Sequence, residues 1–182
     1  SIFGILRMLL LINVDYTSIR IFILIISLIS GIYGIMLAIL QHNLKKILAY
    51  SSVENIGIIG IGIGLGCIGL GTNNTVLCSL GFAGALLHTL NHSLFKSLLF
   101  FTAGNVYQAT HSMDIEKMGG LIKKMPRTGM VFLITAIGIC GLPPFNGFIS
   151  EFLIYSGLIE GVKIHDTNEM ILFSVSLAGL SV

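Results

Sequence analysis

The run Ile21–Leu40 carries no charged side chain and is mostly apolar. A helix needs about 20 such residues to cross the hydrocarbon core of a bilayer. The rest of the sequence has the same character, because only 10% of its 182 residues are charged and 54% are hydrophobic. Soluble domains carry about 25% charged residues. The sequence therefore predicts an integral membrane protein, folded as an all-α, polytopic bundle of transmembrane helices.

Four complete spans and two partial ones are predicted from the alternation of apolar runs with polar turns. The partial spans are the apolar runs at the two ends of the sequence, before residue 13 and after a polar turn at residues 163–168. One complete span is interrupted at Gly141–Gly147, where Pro143 and Pro144 remove backbone donors from the helix. The complete spans are Ile21–Leu40, Ile47–Gly71, Val76–Gln108 and, with the break, Arg127–Glu160.

Lysine and arginine are distributed unequally between the predicted loops, and this sets an orientation. Cytoplasmic loops carry the excess of basic residues. Ser112, on the basic side, is predicted to cap a short surface helix that ends at Gly119–Gly120. The side expected to be cytoplasmic holds Lys45, Lys46, Lys117, Lys123, Lys124 and Arg127, and the other side holds Arg20 and Lys163.

Several functions are excluded by composition and spacing. The net charge of +2 gives no argument for a nucleic-acid partner. Cys67, Cys78 and Cys140 form no C-x-x-C pair, so we expect no metal, iron–sulfur cluster or other cofactor. Gly64–Gly69 matches the dinucleotide-binding pattern G-x-G-x-x-G, but that pattern needs a preceding strand. Within an apolar helix, these glycines are instead predicted to let helix backbones pack closely.

His88, His92 and Lys96 follow one another at intervals of four residues, so they share one face of a helix. A charge at the centre of a bilayer costs from about 2.5 to more than 10 kcal/mol, so such residues face the bundle interior or water. Titratable groups about 6 Å apart can pass protons through intervening waters. The row favours a proton relay. The alternative is that the histidines bond neighbouring helices while Lys96 reaches towards the membrane interface.

Two carboxylates are further candidates for the relay. Glu151 follows the predicted helix break, and irregular backbone at membrane depth is tolerated only within protein or around water. The break therefore suggests a hydrated cavity beside Glu151; the alternative is a Glu that faces lipid headgroups. Glu54 lies in the span Ile47–Gly71. Its alternative reading is an acid placed near a helix N-terminus, where the helix dipole favours it.

Four segments, in order and along essentially the whole chain, resemble the signature motifs of one family. This is the family of antiporter-like proton-translocating subunits, found in respiratory complex I, membrane-bound hydrogenases and multisubunit cation/proton antiporters. Within the family, Val53–Gly57 and Asn146–Glu151 look most like hydrogenase-4 component B and formate hydrogenlyase subunit 3. The four segments are Gln41–Gly57, Leu87–Phe100, Asp114–Leu121 and Gly141–Glu151.

The resemblance implies that Lys96, both histidines and Glu151 belong to a central hydrophilic axis. It also implies an earlier broken helix with a Lys, which would lie before Ser1. Residues 1–182 are therefore expected to form a single transmembrane domain from the C-terminal part of a longer subunit. Many family members carry Lys at position 151, where this sequence has Glu.

The function implied is proton translocation by a subunit of a redox-driven complex, of the hydrogenase-4/formate hydrogenlyase or NADH-quinone oxidoreductase type. Redox chemistry would occur in other subunits of the complex, and this chain would hold no redox site. The expected partners are other membrane subunits of the assembly and the lipid bilayer. The expected location is a bacterial or archaeal cytoplasmic membrane. The alternatives are a subunit of a multisubunit Na⁺/H⁺ antiporter and a membrane anchor that does not pump.

Overall fold

The computed structural model describes residues 2–11, 16–163 and 167–180. Of the described residues, 87% are helical and none lies in a strand, so the all-α prediction is confirmed. Of the turn predicted at 163–168, residues 164–166 lie outside the described residues. In chain order the helices are α1 (Ile2–Leu11), α2 (Tyr16–Ile39), α3 (Leu44–Gly71), α4 (Thr75–Thr110), a 3-10 turn (Ile115–Lys117), α5 (Leu121–Lys124), α6 (Pro126–Ile139), α7 (Asn146–Val162) and α8 (Thr167–Leu180).

Asparagine side chains cap the N-termini of α3 and α4, the two longest helices described. Asn43 accepts hydrogen bonds from two backbone N–H groups in the first turn of α3, at 3.1 and 3.3 Å. Asn74 does the same for α4, at 3.1 Å for both bonds. Such caps satisfy backbone donors that have no partner within the helix. The turn expected between the predicted spans Ile47–Gly71 and Val76–Gln108 is present, with α3 ending at Gly71 and α4 beginning at Thr75.

Glycines bring α3 and α4 together over the half next to their shared turn. A Cβ atom at Gly81 of α4 would overlap the backbone of Gly66 in α3, and one at Gly69 would overlap the backbone of Cys78. Small residues allow this close approach of membrane helices. The prediction that Gly64–Gly69 serves helix packing is confirmed.

α4 is the central helix of the bundle, with α3, α6 and α7 packed against it. α2 lies against α3, and α8 contacts both α2 and α7. Leu24, Leu65, Ile154 and Phe173 are fully buried where α2, α3, α7 and α8 meet. This core holds α7 beside the polar row of α4.

The turn before α3 is paired with the segment after α4. The Leu44 N–H donates to the Met113 carbonyl at 2.9 Å, and the Ile115 N–H donates to the His42 carbonyl at 3.0 Å. These bonds place the basic residues that follow each of the two turns at the same end of the bundle. We call it the basic end, and it is the end predicted to face the cytoplasm.

Asp114, and not Ser112, caps the short helical turn that follows α4. The Asp114 side chain accepts a hydrogen bond from the Glu116 N–H at 3.2 Å. The Ser112 hydroxyl oxygen instead accepts from the Asp114 N–H, also at 3.2 Å. The predicted Ser112 cap is therefore wrong. The Ser112 hydroxyl bonds the N–H of Asp114, which precedes the turn, and Asp114 caps the turn itself.

The helix break lies at the predicted position. α6 ends at Ile139 and α7 begins at Asn146, and Gly141 between them has a φ of 63°. The peptide bond between Pro143 and Pro144 is cis. Both α6 and α7 pack against α4. The irregular backbone is thereby held beside the central helix.

Among the described residues, two helices are long and apolar enough to cross a membrane by length and composition, Ile19–Ile39 within α2 and Leu44–Gly71. α4 is longer, at 36 residues, but its apolar sequence is interrupted by the polar row. The bundle therefore has to bury the polar side chains of that row.

Candidate functional site

The polar row of α4 lies mostly inside the bundle. His88 is 3% exposed, Asn91 2% and Lys96 6%, while His92 is half-buried. α3, α6 and α7 all pack against α4, and α3 also contacts α7. The row therefore faces protein over most of its length, as ionisable residues within membrane-spanning segments generally do.

His88 bridges two neighbouring helices with its two ring nitrogens. Nε2 lies 3.1 Å from Oδ1 of Asn55 on α3. Nδ1 lies 3.0 Å from Oγ of Ser150 on α7. Asn55 in turn donates through Nδ2 to the carbonyl of Ser51, at 2.8 Å. One buried histidine thus joins α3, α4 and the second half of the broken helix.

The partners of His88 determine which ring nitrogen carries a proton. The Ser51 carbonyl only accepts, so the NH₂ group of Asn55 faces it and Oδ1 faces His88. His88 Nε2 must therefore donate. The Ser150 hydroxyl has one proton, for which His88 Nδ1 and the Gly147 carbonyl, 2.8 Å away, compete. Nδ1 can consequently be an acceptor or a donor in the same heavy-atom arrangement.

Asn91 attaches the start of α7 to the central helix. Its Nδ2 donates to the backbone carbonyl of Asn146 at 2.8 Å and lies 3.4 Å from the Ser150 hydroxyl oxygen. Asn146 is the first residue of α7. The position of the helix after the break is therefore fixed by the same face of α4 that carries His88.

Lys96 points into the bundle. Its Nζ donates to the Leu48 carbonyl at 2.9 Å and to the Ser51 hydroxyl at 2.8 Å, both on α3. Within the described part of the chain, Lys96 forms no ion pair, although it lies within electrostatic range of Glu54. The alternative in which Lys96 reaches the membrane interface does not describe this geometry, since the side chain ends on α3.

His92 marks the edge of the polar row that is open to the outside. Its Nε2 is buried and has no hydrogen-bond partner among the residues described. Beside it lies an open groove of about 600 Å³, which also borders Lys96. The hydroxyls of Ser93 and Ser97, on the same groove, donate to carbonyls of their own helix at 2.8 and 2.7 Å. The row is thus enclosed at His88 and borders the groove at His92.

Glu151 is half-buried and turns towards the helix break. A Cβ atom at Gly141 would overlap its carboxylate oxygen Oε2. The space for the carboxylate therefore exists because position 141 is glycine. Ser150, the residue before it, bonds His88. The broken helix thus brings Glu151 within one residue of the bridge to α4.

Glu54 is half-buried on α3, beside a small cavity of about 30 Å³ between α2, α3 and α8. It lies ten residues after Leu44, which is about 15 Å along the helix axis. The helix dipole acts within the first turn, so it does not account for this position. Lys96 and Glu151 both lie within electrostatic range of Glu54.

Ser150 is a site residue that sequence reasoning missed. It is fully buried and contacts both His88 and Asn91. Ser51 and Asn55 are not among the predicted site residues either, yet they bind Lys96 and His88. Their spacing is a usable signal, because Leu48, Ser51 and Asn55 share one helical face. Among the described residues, no three His, Cys, Asp or Glu side chains lie together as metal ligands would.

A helical bundle with this hydrophobicity and a buried row of ionisable residues is an integral membrane protein. The chain belongs to the family of transmembrane proteins described as NADH:quinone oxidoreductase/Mrp antiporter, whose model matches residues 1–181. The resemblance of the four sequence segments to this family is confirmed.

Three curated relatives illustrate the range of the family. The chain is 43% identical over 138 residues to formate hydrogenlyase subunit 3 of Escherichia coli K12, covering 76% of this chain and 23% of the relative. It is 42% identical over 140 residues to hydrogenase-4 component B of the same strain, covering 77% and 21%. It is 36% identical over 145 residues to a Na⁺/H⁺ antiporter subunit of Alkalihalophilus pseudofirmus, covering 78% and 18%. The chain thus spans about a fifth of the length of these relatives.

Proposed function

We propose that this chain is part of a proton-translocating, antiporter-like subunit in a redox-driven membrane complex of the hydrogenase-4/formate hydrogenlyase or NADH-quinone oxidoreductase type. Family membership and the two hydrogenase-type relatives support the assignment. The observation that carries it is His88, which joins α3 and α7 through both ring nitrogens next to the buried Lys96.

The same proposal covers the organisation of the chain. It forms one transmembrane domain, with four complete and two partial spans, from the C-terminal part of a longer subunit. The short coverage of the relatives supports a longer subunit. The domain sits in a bacterial or archaeal cytoplasmic membrane, with the basic end inside, and its partners are the other membrane subunits of the complex.

In this mechanism, His88 is the residue whose protonation changes. When His88 is neutral, the Ser150 hydroxyl donates to Nδ1. When His88 is protonated, Nδ1 donates to the Ser150 oxygen, and the hydroxyl turns to the Gly147 carbonyl. A buried polar group without a partner costs about 1–3 kcal/mol, and neither state incurs this cost. Because Nε2 keeps its proton against Asn55 in both states, the proton is gained and lost at Nδ1, and neither step requires a rearrangement of the helices.

Lys96 and Glu151 are the groups between which His88 mediates. Lys96 reaches α3 from the side of the row that is open at His92. Glu151 lies beyond the Ser150 bridge, against the helix break. The amide of Asn55 does not titrate, so it fixes the histidine while protons pass between the titratable groups over waters. Glu54 acts on Lys96 through its charge.

Glu151→Gln tests this proposal when proton movement and electron transfer are measured together in vesicles that hold the full complex. The change keeps the shape of the side chain but removes its ability to carry a proton. General acid–base groups typically contribute 100-fold or more to a proton-transfer rate, so we expect proton pumping to fall about 100-fold in an assembled complex.

Glu160→Gln is the matched control, because Glu160 lies on the same helix and pairs with the exposed Lys163 at 2.8 Å. It should pump normally. If Glu151→Gln assembles and pumps as well as Glu160→Gln, the proposed relay is wrong and the anchor function is favoured, with His88 as a structural link.

A component of a multisubunit Na⁺/H⁺ antiporter is the second candidate, and the similarity to the antiporter relative favours it. The two functions differ in what drives proton movement. An imposed Na⁺ gradient without an electron donor would move protons in the antiporter only. Proton movement that requires the electron donor supports the redox-driven complex.

A further inference from the structure

A second cavity, of about 270 Å³, lies at the basic end of the bundle, far along α4 from His88. It is open on one side. Ligand pockets in proteins begin at about 300 Å³, so the cavity accommodates a slender ligand or part of a larger one. The wall is formed by the start of α3, the end of α4, the segment after it, and the first two turns of α6, including Leu44, Val106, Met118, Met125, Thr128 and Phe132.

The lining of this cavity fits hydrocarbon. Thr128 is the one polar side chain among the described residues that line it. A polar ligand group placed there would lose its hydrogen bonds to water and find almost no replacements, which is unfavourable. Aliphatic chain, in contrast, gains from contact with Met, Leu and Phe side chains. The occupant of the cavity should therefore be apolar where it meets these walls.

Three cations lie next to the lining residues along the chain. Lys123 and Lys124 lie between the lining residues Leu121 and Met125, and Arg127 precedes Thr128. These three cations are exposed, and none of them has a carboxylate partner in the described part of the chain.

The acidic residues of this end are already paired. Asp114 lies 3.3 Å from Lys117, and Glu116 lies 2.9 Å from His42. Neither carboxylate therefore contacts Lys123, Lys124 or Arg127, which remain available to bind an anion. A ligand that matches both the wall and these cations has an apolar chain and a negatively charged head.

We propose that the cavity binds one acyl chain of an anionic phospholipid, whose phosphate headgroup is held by Lys123, Lys124 and Arg127. Basic pockets between transmembrane helices on the cytoplasmic side favour anionic headgroups. The bound chain fills the space between α4 and α6. It therefore stabilises the position of α6, the first half of the broken helix, while leaving the relay residues untouched.

Photocrosslinking tests this site in the full complex. The probes are phosphatidylglycerol and phosphatidylcholine, each carrying a diazirine on one acyl chain, in nanodiscs made with equal amounts of unlabelled lipid. Crosslinked peptides are located by mass spectrometry. We expect phosphatidylglycerol to label residues 115–132 at least fivefold more than phosphatidylcholine. The double variant Lys123→Ala/Lys124→Ala should reduce that preference to less than twofold.

Two control variants separate this site from general contact with lipid. Lys163→Ala removes a cation from outside the basic end and should keep the preference. Thr128→Phe places bulk at the wall and should reduce labelling by both probes, whereas Ile134→Phe, at a position on α6 that is 50% exposed, should not. Equal labelling by both lipids, or a preference that survives the lysine variants, would overturn the proposal. The proposal would also be overturned if neither lipid labels the cavity because a peptide of a partner subunit fills it.

Discussion

α3 and α4 pack side by side along most of their length, but the two halves of the pair are held together differently. Near their shared turn, glycines bring the backbones together, as at Gly66 and Gly81. Towards the basic end, polar side chains replace the glycines, and Lys96 and His88 of α4 bond Ser51 and Asn55 of α3. One half is a close backbone contact and the other is a layer of hydrogen bonds.

The comparison bears on the proposed path for protons. Beyond His88, a Cβ atom at Gly62 would already lie 3.0 Å from the Ala85 side chain, which leaves no room for water between the helices. In the proposed relay, a path that enters at Lys96 turns at His88 towards Ser150, Glu151 and the helix break, because the α3–α4 contact is closed beyond His88. On this proposal, the glycine half blocks protons and the polar half carries them.

Gly81→Val should disrupt the glycine-packed half of the α3–α4 contact and give the largest loss of stability. The new side chain would overlap the backbone of Gly66 and Gly62, which cannot move away as a side chain can. Overpacking of this kind costs about 3 kcal/mol or more, so we expect poor assembly and a strongly lowered melting temperature in detergent. The matched control is Gly104→Val on the same helix, where nothing lies within 4 Å of the added Cβ. Equal stability of the two variants would contradict the close contact.

Ser150→Ala should weaken the hydrogen bonds of the polar half and leave the glycine-packed half of the α3–α4 contact unchanged. It removes the hydroxyl that serves both states of His88. One hydrogen bond contributes about 0.5–1.5 kcal/mol, so we expect proton pumping by the complex to fall about two- to tenfold. Ser156→Ala is the control, because its hydroxyl bonds only the carbonyl of Phe152 in its own helix. If the two variants pump equally, the hydroxyl of Ser150 has no part in the relay.

Glu54→Gln should reduce proton pumping by the smallest factor of the proposed variants. Glu54 lies within electrostatic range of Lys96 but makes no direct ion pair with it in the described part of the chain. An ion interaction without direct contact contributes about 1 kcal/mol or less, which corresponds to a change in pumping of about fivefold or less. Pumping rates measured in vesicles check this. A loss as large as that of Glu151→Gln would instead make Glu54 an obligatory carrier.

Much of this architecture could be predicted from the sequence, because its signals are local. The scarcity of charges indicated lipid-facing helices, and the turn at residues 71–75 separated α3 from α4. Gly141 with Pro143 and Pro144 located the break. The spacing of His88, His92 and Lys96 placed them on one face of a helix. Each of these inferences depends on neighbours within about two helical turns.

The contacts between distant segments could not be predicted in the same way. His88 and Ser150 are 62 residues apart in the chain, and only the packing of α7 against α4 brings them together. Ser112 and Asp114 are both good helix caps by type, and the choice between them depends on the pairing of this segment with the turn before α3. The difference between the closed and the polar half depends on such pairings.

Lys96→Ala tests the central claim most directly, with the protons moved per electron measured in vesicles that hold the full complex. Lys45→Ala is the control, since Lys45 is exposed at the basic end with its Nζ 5.1 Å from the centre of the Tyr107 ring. If the polar half conducts, Lys96→Ala assembles and loses proton movement about 100-fold, while Lys45→Ala keeps the normal ratio. If Lys96→Ala assembles and moves as many protons per electron as Lys45→Ala, the path does not run through this site.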